Sequence, residues 1–163
     1  MSILAIDPSG NFHEGKGVTG FCHYDGKHFF PFKVEAESCP SDMDYFGKVL
    51  KAIDEYELDA VVLEGYRLYN HKGMSAKTQS NSILETPQLI GVIRYHCHLK
   101  ELPVTVQYAV QVKNRWSDDV LIKSGNLIKK KNRYYLPNDL LITNHERDAY
   151  RHLLHYLKYT NGE

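Results

Sequence analysis

Short blocks of strand-forming residues alternate along this chain with segments whose apolar positions recur every three to four residues. Ile3 to Asp7, Gly17 to Asp25 and His28 to Val34 are rich in strand formers, and Gly26-Lys27 suits a hairpin turn, so three successive antiparallel strands are predicted. Ser41 then caps a helix in which Met43, Phe46, Val49, Leu50 and Ile53 fall at helical spacing. Ala60-Val61-Val62-Leu63 is a continuous apolar run closed by Glu64. It is too short for a helix and fits a strand buried on both faces beside the first.

The stretch 65–82 is polar and reads as a loop. Helical spacing returns over 85–100 through Leu89, Ile90, Ile93 and Cys97, with Pro87 tolerable near the start. Val104 to Val110 reads as another strand, and Ser117 opens a short helix through Val120, Leu121 and Ile122 that Gly125 ends. Asn144 caps a last helix from His145 to about Tyr159. This order predicts an α/β fold: a mixed five-stranded sheet, its first three strands antiparallel, with helices on both faces.

The chain has 163 residues with ordinary apolar content and no composition break, which suits a single domain over 1–163. No apolar run approaches the ~18 residues needed to cross a bilayer, and no basic stretch with an apolar core opens the chain. A soluble, cytoplasmic protein with no membrane partner is expected. Cys22, Cys39 and Cys97 cannot all pair and read as reduced thiols. The formal net charge is zero, but acids dominate from Glu35 to Glu64. Between Lys113 and Arg133, seven cations face only Asp118 and Asp119. Lys129 to Lys131 alone are explained by a solvated surface.

Asp7 and Glu64 each close an apolar strand, and in this order the two strands can lie side by side. On the last helix His145 and Asp148 share a face, while Ala149, Leu153 and Tyr156 form a neighbouring stripe that packs the helix on the sheet. Three carboxylates and an imidazole at one place repel unless cations occupy the site, and hard oxygen donors favour magnesium, with manganese as substitute. Two such ions per site, about 3.5–4 Å apart, suit in-line hydrolysis of a phosphodiester by water. Singly, each residue has an ordinary explanation: a strand-end acid begins a loop, and His-x-x-Asp decorates a helix.

The ordered set ILAIDPSG with GVTGF, AVVLEGY, TVQYAVQVKNRW and HERDAYRH resembles the RuvC family of Holliday-junction resolvases, which are RNase H-like nucleases, over nearly the whole chain. It is most similar to the short RuvC-like resolvases of bacteriophages. The resemblance implies a homodimeric, magnesium-dependent endonuclease of recombination and repair that nicks four-way DNA junctions, acting in a bacterial cell or a phage-infected host. It implies metal-binding catalytic roles for Asp7, Glu64 and Asp148, and His145 falls where family members carry Asp or His. In the family an aromatic after the second acid wedges into the junction, a place for which Tyr66 and Tyr69 both qualify. Lys113 and Arg115 are candidate phosphate contacts, with Arg67 a weaker one. The helix 85–100 is the natural dimer interface, unless Leu89, Ile90, Ile93 and Cys97 are used on the sheet.

The chain departs from the family pattern at the insertion Asn11 to Lys16 and at Asn114-Arg115-Trp116, which replaces a glycine-rich segment. Arg147 and Arg151 are either phosphate ligands or partners of acids, and Trp116 reads as core. The run YHCH is no zinc site, because alternate helical residues point apart; His152 and His155, one turn beyond Asp148, either extend the site or are surface or helix-end residues, and the second reading is preferred. Two other classes share features of this sequence: a related nuclease for flaps, forks or packaging intermediates, and an ATP-binding domain of actin type or a non-catalytic binding domain. The actin type needs a second domain and another glycine-rich loop, and neither is present. No organic cofactor is expected.

Overall fold

The computed structural model describes residues 1–13, 15–67 and 84–160. Five strands form the main sheet: β1 (Ile3–Asp7), β2 (Val18–Tyr24), β3 (Phe29–Glu35), β4 (Ala60–Glu64) and β5 (Val104–Gln107). Their order is β3-β2-β1-β4-β5, with β1 antiparallel to β2, β2 antiparallel to β3, and β1, β4 and β5 mutually parallel. Three longer helices cover the sheet: α1 (Asp42–Asp54), α2 (Glu85–Leu99) and α5 (Asn144–Tyr159); the short α3 (Ala109–Val112) and α4 (Asp118–Lys123) follow β5. Among the described residues no helix is long and apolar enough to cross a membrane.

Every residue of β1 is buried, as its continuous apolar run predicts, because both faces are covered. Leu4, Ile6, Phe21, Val61 and Leu63 face α1 and α2, whose Tyr45, Val49, Ile53, Leu89, Ile93 and Cys97 complete one core. The alternate set Ile3, Ala5, Cys22 and Val62 faces the other side, where Ala149, Tyr150 and Leu153 of α5 pack with Leu121, Leu127 and Leu136. All three cysteines are free thiols. Ser41 and Ser117 cap α1 and α4 as expected, accepting from the backbone N–H groups of Asp44 and Val120.

Three local expectations are corrected, and one element is added. The strand after residue 104 ends at Gln107, because Tyr108 turns the chain into α3 and its N–H is taken by the Gln111 side chain at 3.0 Å. The cap of α5 is Thr143 rather than Asn144, which is already helical. Trp116 is half-buried at the rim of the second core, its Nε1 donating to His155 Nδ1 at 3.2 Å. Finally, the cationic stretch after α4 forms a hairpin, β6 (Ile128–Lys130) and β7 (Arg133–Tyr135), which the pattern reading did not find.

Candidate active site

One row of positions crosses the sheet on the face covered by α5. Asp7 is opposite Gly20, Glu64 is opposite Gln107, and Ile6 pairs Leu63 one residue earlier, so Gly20, Asp7, Glu64 and Gln107 stand side by side. Adjacent strands are about 4.8 Å apart, so Asp7 to Gln107 spans about 10 Å. Helical positions i and i+7 are about 10.5 Å apart. His145 and His152 are such a pair, and α5 sets His145 over Gly20 and Asp7 and His152 over Glu64 and Gln107.

His145 Nδ1 lies 3.2 Å from Asp7 Oδ2. The close approach needs Gly20, since a Cβ there would lie 2.2 Å from the carbonyl carbon of His145. At the other end of the row His152, fully buried, sets Nδ1 3.0 Å from Gln107 Oε1 and Nε2 3.1 Å from Glu64 Oε2. The second approach is close but misaligned, so Glu64 Oε2 and His152 Nε2 are buried without a well-formed hydrogen bond.

The turn after β1 is pinned from three sides. Ser9 N donates to Thr19 Oγ1 at 3.3 Å, Tyr45 Oη donates to the Ser9 carbonyl at 2.6 Å, and Gly10 N donates to Thr86 Oγ1 at 3.0 Å. Gly10 lies directly on the start of α2, where a Cβ would come within 2.2 Å of the Glu85 backbone. Pro8-Ser9-Gly10 thus ends the strand and fixes the direction in which Asp7 leaves it.

Burial is the largest influence on Asp7 and lifts its carboxyl to about 7; the hydrogen bond with His145 opposes this, and the charges of Glu64 and Asp148 add to it. Glu64 is also pushed up by burial, but hydrogen bonding and charge from His152, the Lys113 charge and Asp7 hold it below the usual range. The hydrogen bond with Asp7 raises His145, against burial, and the charges of Asp7, Asp148 and Glu64 raise it further.

Asp148 is engaged elsewhere. Its Oδ1 accepts from Arg151, and Lys113 Nζ stands 3.5 Å from its Oδ2. Arg151 also pairs with Asp118, which accepts from Arg147 Nε at 3.0 Å, so one acid of α4 ties two arginines of α5. Among the described residues no group of three or more His, Cys, Asp or Glu side chains is placed to hold a metal ion. The four predicted residues therefore share one site electrostatically, with Asp7 and His145 in contact and Asp148 turned to its cations.

Of the other candidates, Lys113 reaches the site through Asp148. Arg115 instead packs on the end of α5, its guanidinium 4.9 Å from the Tyr159 ring centre and donating to its hydroxyl. Tyr66 is exposed beyond β4, and Arg67 lies 3.9 Å over the Tyr108 ring. Tyr69 lies outside the described residues. Gln107 and Asp118 were not singled out from sequence as site residues; His152, one turn beyond Asp148, is buried in the site rather than at the surface or a helix end.

The sheet order and the helix laid across its strand ends define an RNase H-like α/β fold. Among solved structures the chain is similar to Thermus thermophilus RuvC in complex with a Holliday junction substrate, at 16% identity over 99% of this chain and 96% of that one, TM-score 0.65. It is similar to Thermus thermophilus RuvC in a separate structure (17% identity, 99% and 96% coverage, TM-score 0.60) and to the fowlpox virus Holliday junction resolvase (14%, 98% and 99%, TM-score 0.51). No protein-family model and no curated protein matches the sequence. The chain is RuvC-like in fold over nearly its whole length, as the sequence resemblance implied.

Proposed function

We propose that the chain is a metal-dependent, structure-selective DNA endonuclease that resolves Holliday junctions. The observation that carries this is the convergence of Asp7, Glu64, His145 and Asp148 at the strand ends of a fold whose solved counterpart holds such a junction. The donor set fits hard divalent cations: Asp7 and Glu64 offer carboxylate oxygens side by side, and the upward shift of Asp7 is the repulsion and burial that a cation would relieve. Asp7, Glu64 and Asp148, with His145, would hold magnesium or manganese, Asp148 by exchanging its arginine and lysine partners. Two such ions supply Lewis-acid stabilisation of the charge on the reacting phosphate.

The protein's own groups do the rest. In the hydrolysis a water oxygen attacks phosphorus, the bond to the 3′ oxygen breaks, and the departing oxygen takes a proton. His145, half-exposed beside Asp7, orients the water and accepts its proton when it is neutral and not itself a ligand, and the departing oxygen takes its proton from solvent. Lys113 faces the scissile phosphate when Asp148 turns away from it. Arg115 meets the backbone further along, and Tyr66, Arg67 and Tyr69 meet the unstacked branch point.

Cutting two strands symmetrically calls for a homodimer. The inner face of α2, Leu89, Ile93 and Cys97, is spent on the core, so the dimer would use its outer side, where Tyr95 and Leu99 are exposed next to Gly91. The test is a nicking assay on a four-way junction, a flap, a fork and plain duplex, with and without magnesium. Magnesium-dependent paired nicks in the junction alone support the reading, and preferential cutting of flaps or forks replaces it with a related nuclease.

A further inference from the structure

We propose that the β6–β7 hairpin is a second phosphate-binding element, which grips a duplex arm of the substrate beside the site; this rests on the DNA-cutting reading above. The hairpin stands apart from the main sheet. Its strands pair Ile128↔Tyr135, Lys129↔Tyr134 and Lys130↔Arg133 around a turn of Lys131 and Asn132. Its base is fixed: Leu127 and Leu136, which flank it, are buried in the second core, and Ile142 N donates to the Tyr134 carbonyl at 3.0 Å. Its tip, Lys131 to Arg133, and all of β6 are exposed among the described residues.

Charge on this tip is concentrated and poorly balanced. Lys129, Lys130, Lys131 and Arg133 fall within one turn, and the sequence has no acid between Asp119 and Asp139. Among the described residues their one carboxylate partner is Asp139, 3.7 Å from Lys130, and both side chains of that pair are largely exposed. Such a pair neutralises little. Lys131 holds a left-handed backbone, φ 56°, where glycine or asparagine would cost less. A long cation thus occupies the apex.

The tyrosines on β7 order two of these cations. Lys129 Nζ lies 5.6 Å over the Tyr134 ring and Lys130 Nζ lies 5.3 Å over that of Tyr135. Tyr134 also meets Arg147 of α5, whose guanidinium lies 4.1 Å from its ring centre. A cleft of about 410 Å³ lined by Asn132, Arg133, Thr143, Asn144 and Arg147 joins hairpin to helix. Asn144 immediately precedes His145, so the cationic tip lies beside the end of α5 that delivers a group to Asp7. A ribbon of four cations anchored there fits the repeating charge of a nucleic-acid backbone.

The test is the full-length triple variant Lys129→Gln, Lys131→Asn, Arg133→Gln, which keeps the turn, with a charge-preserving control Lys129→Arg, Lys131→Arg, Arg133→Lys. Binding to a four-way junction and to plain duplex of equal arm length is measured from 50 to 200 mM salt, and cleavage at saturating junction. The proposal expects the neutral variant to lose about ten-fold or more in affinity for both DNAs. Its log–log salt slope should be less steep by about 2 to 3, since each lost duplex phosphate contact removes about 0.9. The saturated cleavage rate should stay within two-fold, and the control should bind as wild type does. A neutral variant with wild-type affinity and slope, while wild type binds and cuts junctions, overturns this proposal alone. Wild-type protein that neither binds nor cuts any DNA overturns it together with the function it rests on.

Discussion

His152 Nε2 and Glu64 Oε2 face each other at 3.1 Å in the interior, one from the middle of α5 and the other from the end of β4. Behind the ring, Gln107 Oε1 meets Nδ1, so the imidazole is gripped between an amide and a carboxylate in the same row of the sheet. The arrangement fixes the rotamer of Glu64. His152→Leu should remove that restraint, leave the Gln107 oxygen unpaired and take the imidazole from beside the Glu64 carboxylate, at a cost of about 1–3 kcal/mol. Cleavage should fall roughly 10- to 100-fold, as for other residues that orient a ligand. Urea unfolding and single-turnover nicking check both, and a His152→Leu protein that cuts at the wild-type rate would remove His152 from the site.

Asp118 is the shared counter-ion of Arg147 and Arg151, both of which are largely buried. Removing a partner from buried charges costs more than the pair contributes, because the stranded cation stays desolvated. Arg151 keeps Asp148, so the cost falls mainly on Arg147, and Asp118→Ala should lower stability by about 1–3 kcal/mol, measured by chemical denaturation. Asp118→Glu should recover part of it.

The proton on Asp7 links the site to stability. With its pKa lifted from 3.8 to about 7, the folded, metal-free chain holds a proton that the unfolded chain has released, so the contribution is complete below pH 4 and is lost as pH rises towards 7. His145, also raised, acts in the same sense: its contribution is present below 6.5 and lost as pH passes its folded value. In chelator, Asp7→Asn should match wild type near pH 4 and exceed it near pH 8 by on the order of 1–3 kcal/mol. Magnesium should narrow the gap at pH 8 by stabilising wild type alone. A gap independent of pH would show that Asp7 ionises normally.

Gly20 and Gly47 should respond oppositely to the same change. A methyl group on Gly20 meets the backbone of His145, so α5 must lift from β2 and carry His145 off Asp7. Gly20→Ala should cost about 1–3 kcal/mol or more and abolish nicking. Gly47 lies on the open side of α1 with nothing within 4 Å of the added methyl, and Gly47→Ala should gain about 0.5–1 kcal/mol. Thermal unfolding of the two variants tests the contrast.

The centre of the main sheet was legible because β1 and β4 are buried on both faces and therefore continuous in apolar residues, and helix ends were legible because Ser41, Ser117 and Gly125 mark them by local chemistry. Asp7, Glu64, His145 and Asp148 could be read as a set because each sits at a strand end or on one helical face. The hairpin was hidden because Lys129 to Arg133 has no alternation of apolar and polar residues; its pairing is carried by Leu127 and Leu136 outside it. His152 was misread as a surface or helix-end residue because spacing gives its face of the helix and not what lies beneath: only the register of Glu64 against Gln107 makes that place polar. The Asp148–Arg151 pair is an i,i+3 contact within α5 that spacing allows, whereas the engagement of Asp148 by Lys113 depends on where α3 turns, which no local pattern specifies.

Because α5 supplies both His145 and Asp148 and also covers Ile3, Ala5, Cys22 and Val62, the nascent chain cannot assemble the site as it leaves the ribosome. At about 5–20 residues per second, synthesis from Glu64 to Asp148 takes roughly 4–17 s, during which one face of the sheet is bare. A partly made chain is therefore sticky before its site exists. On the function proposed above, the ability to cut would arrive only when the helix that shields the sheet has closed on it, so an incompletely translated chain would carry the first two carboxylates without the residues of α5 that complete the set.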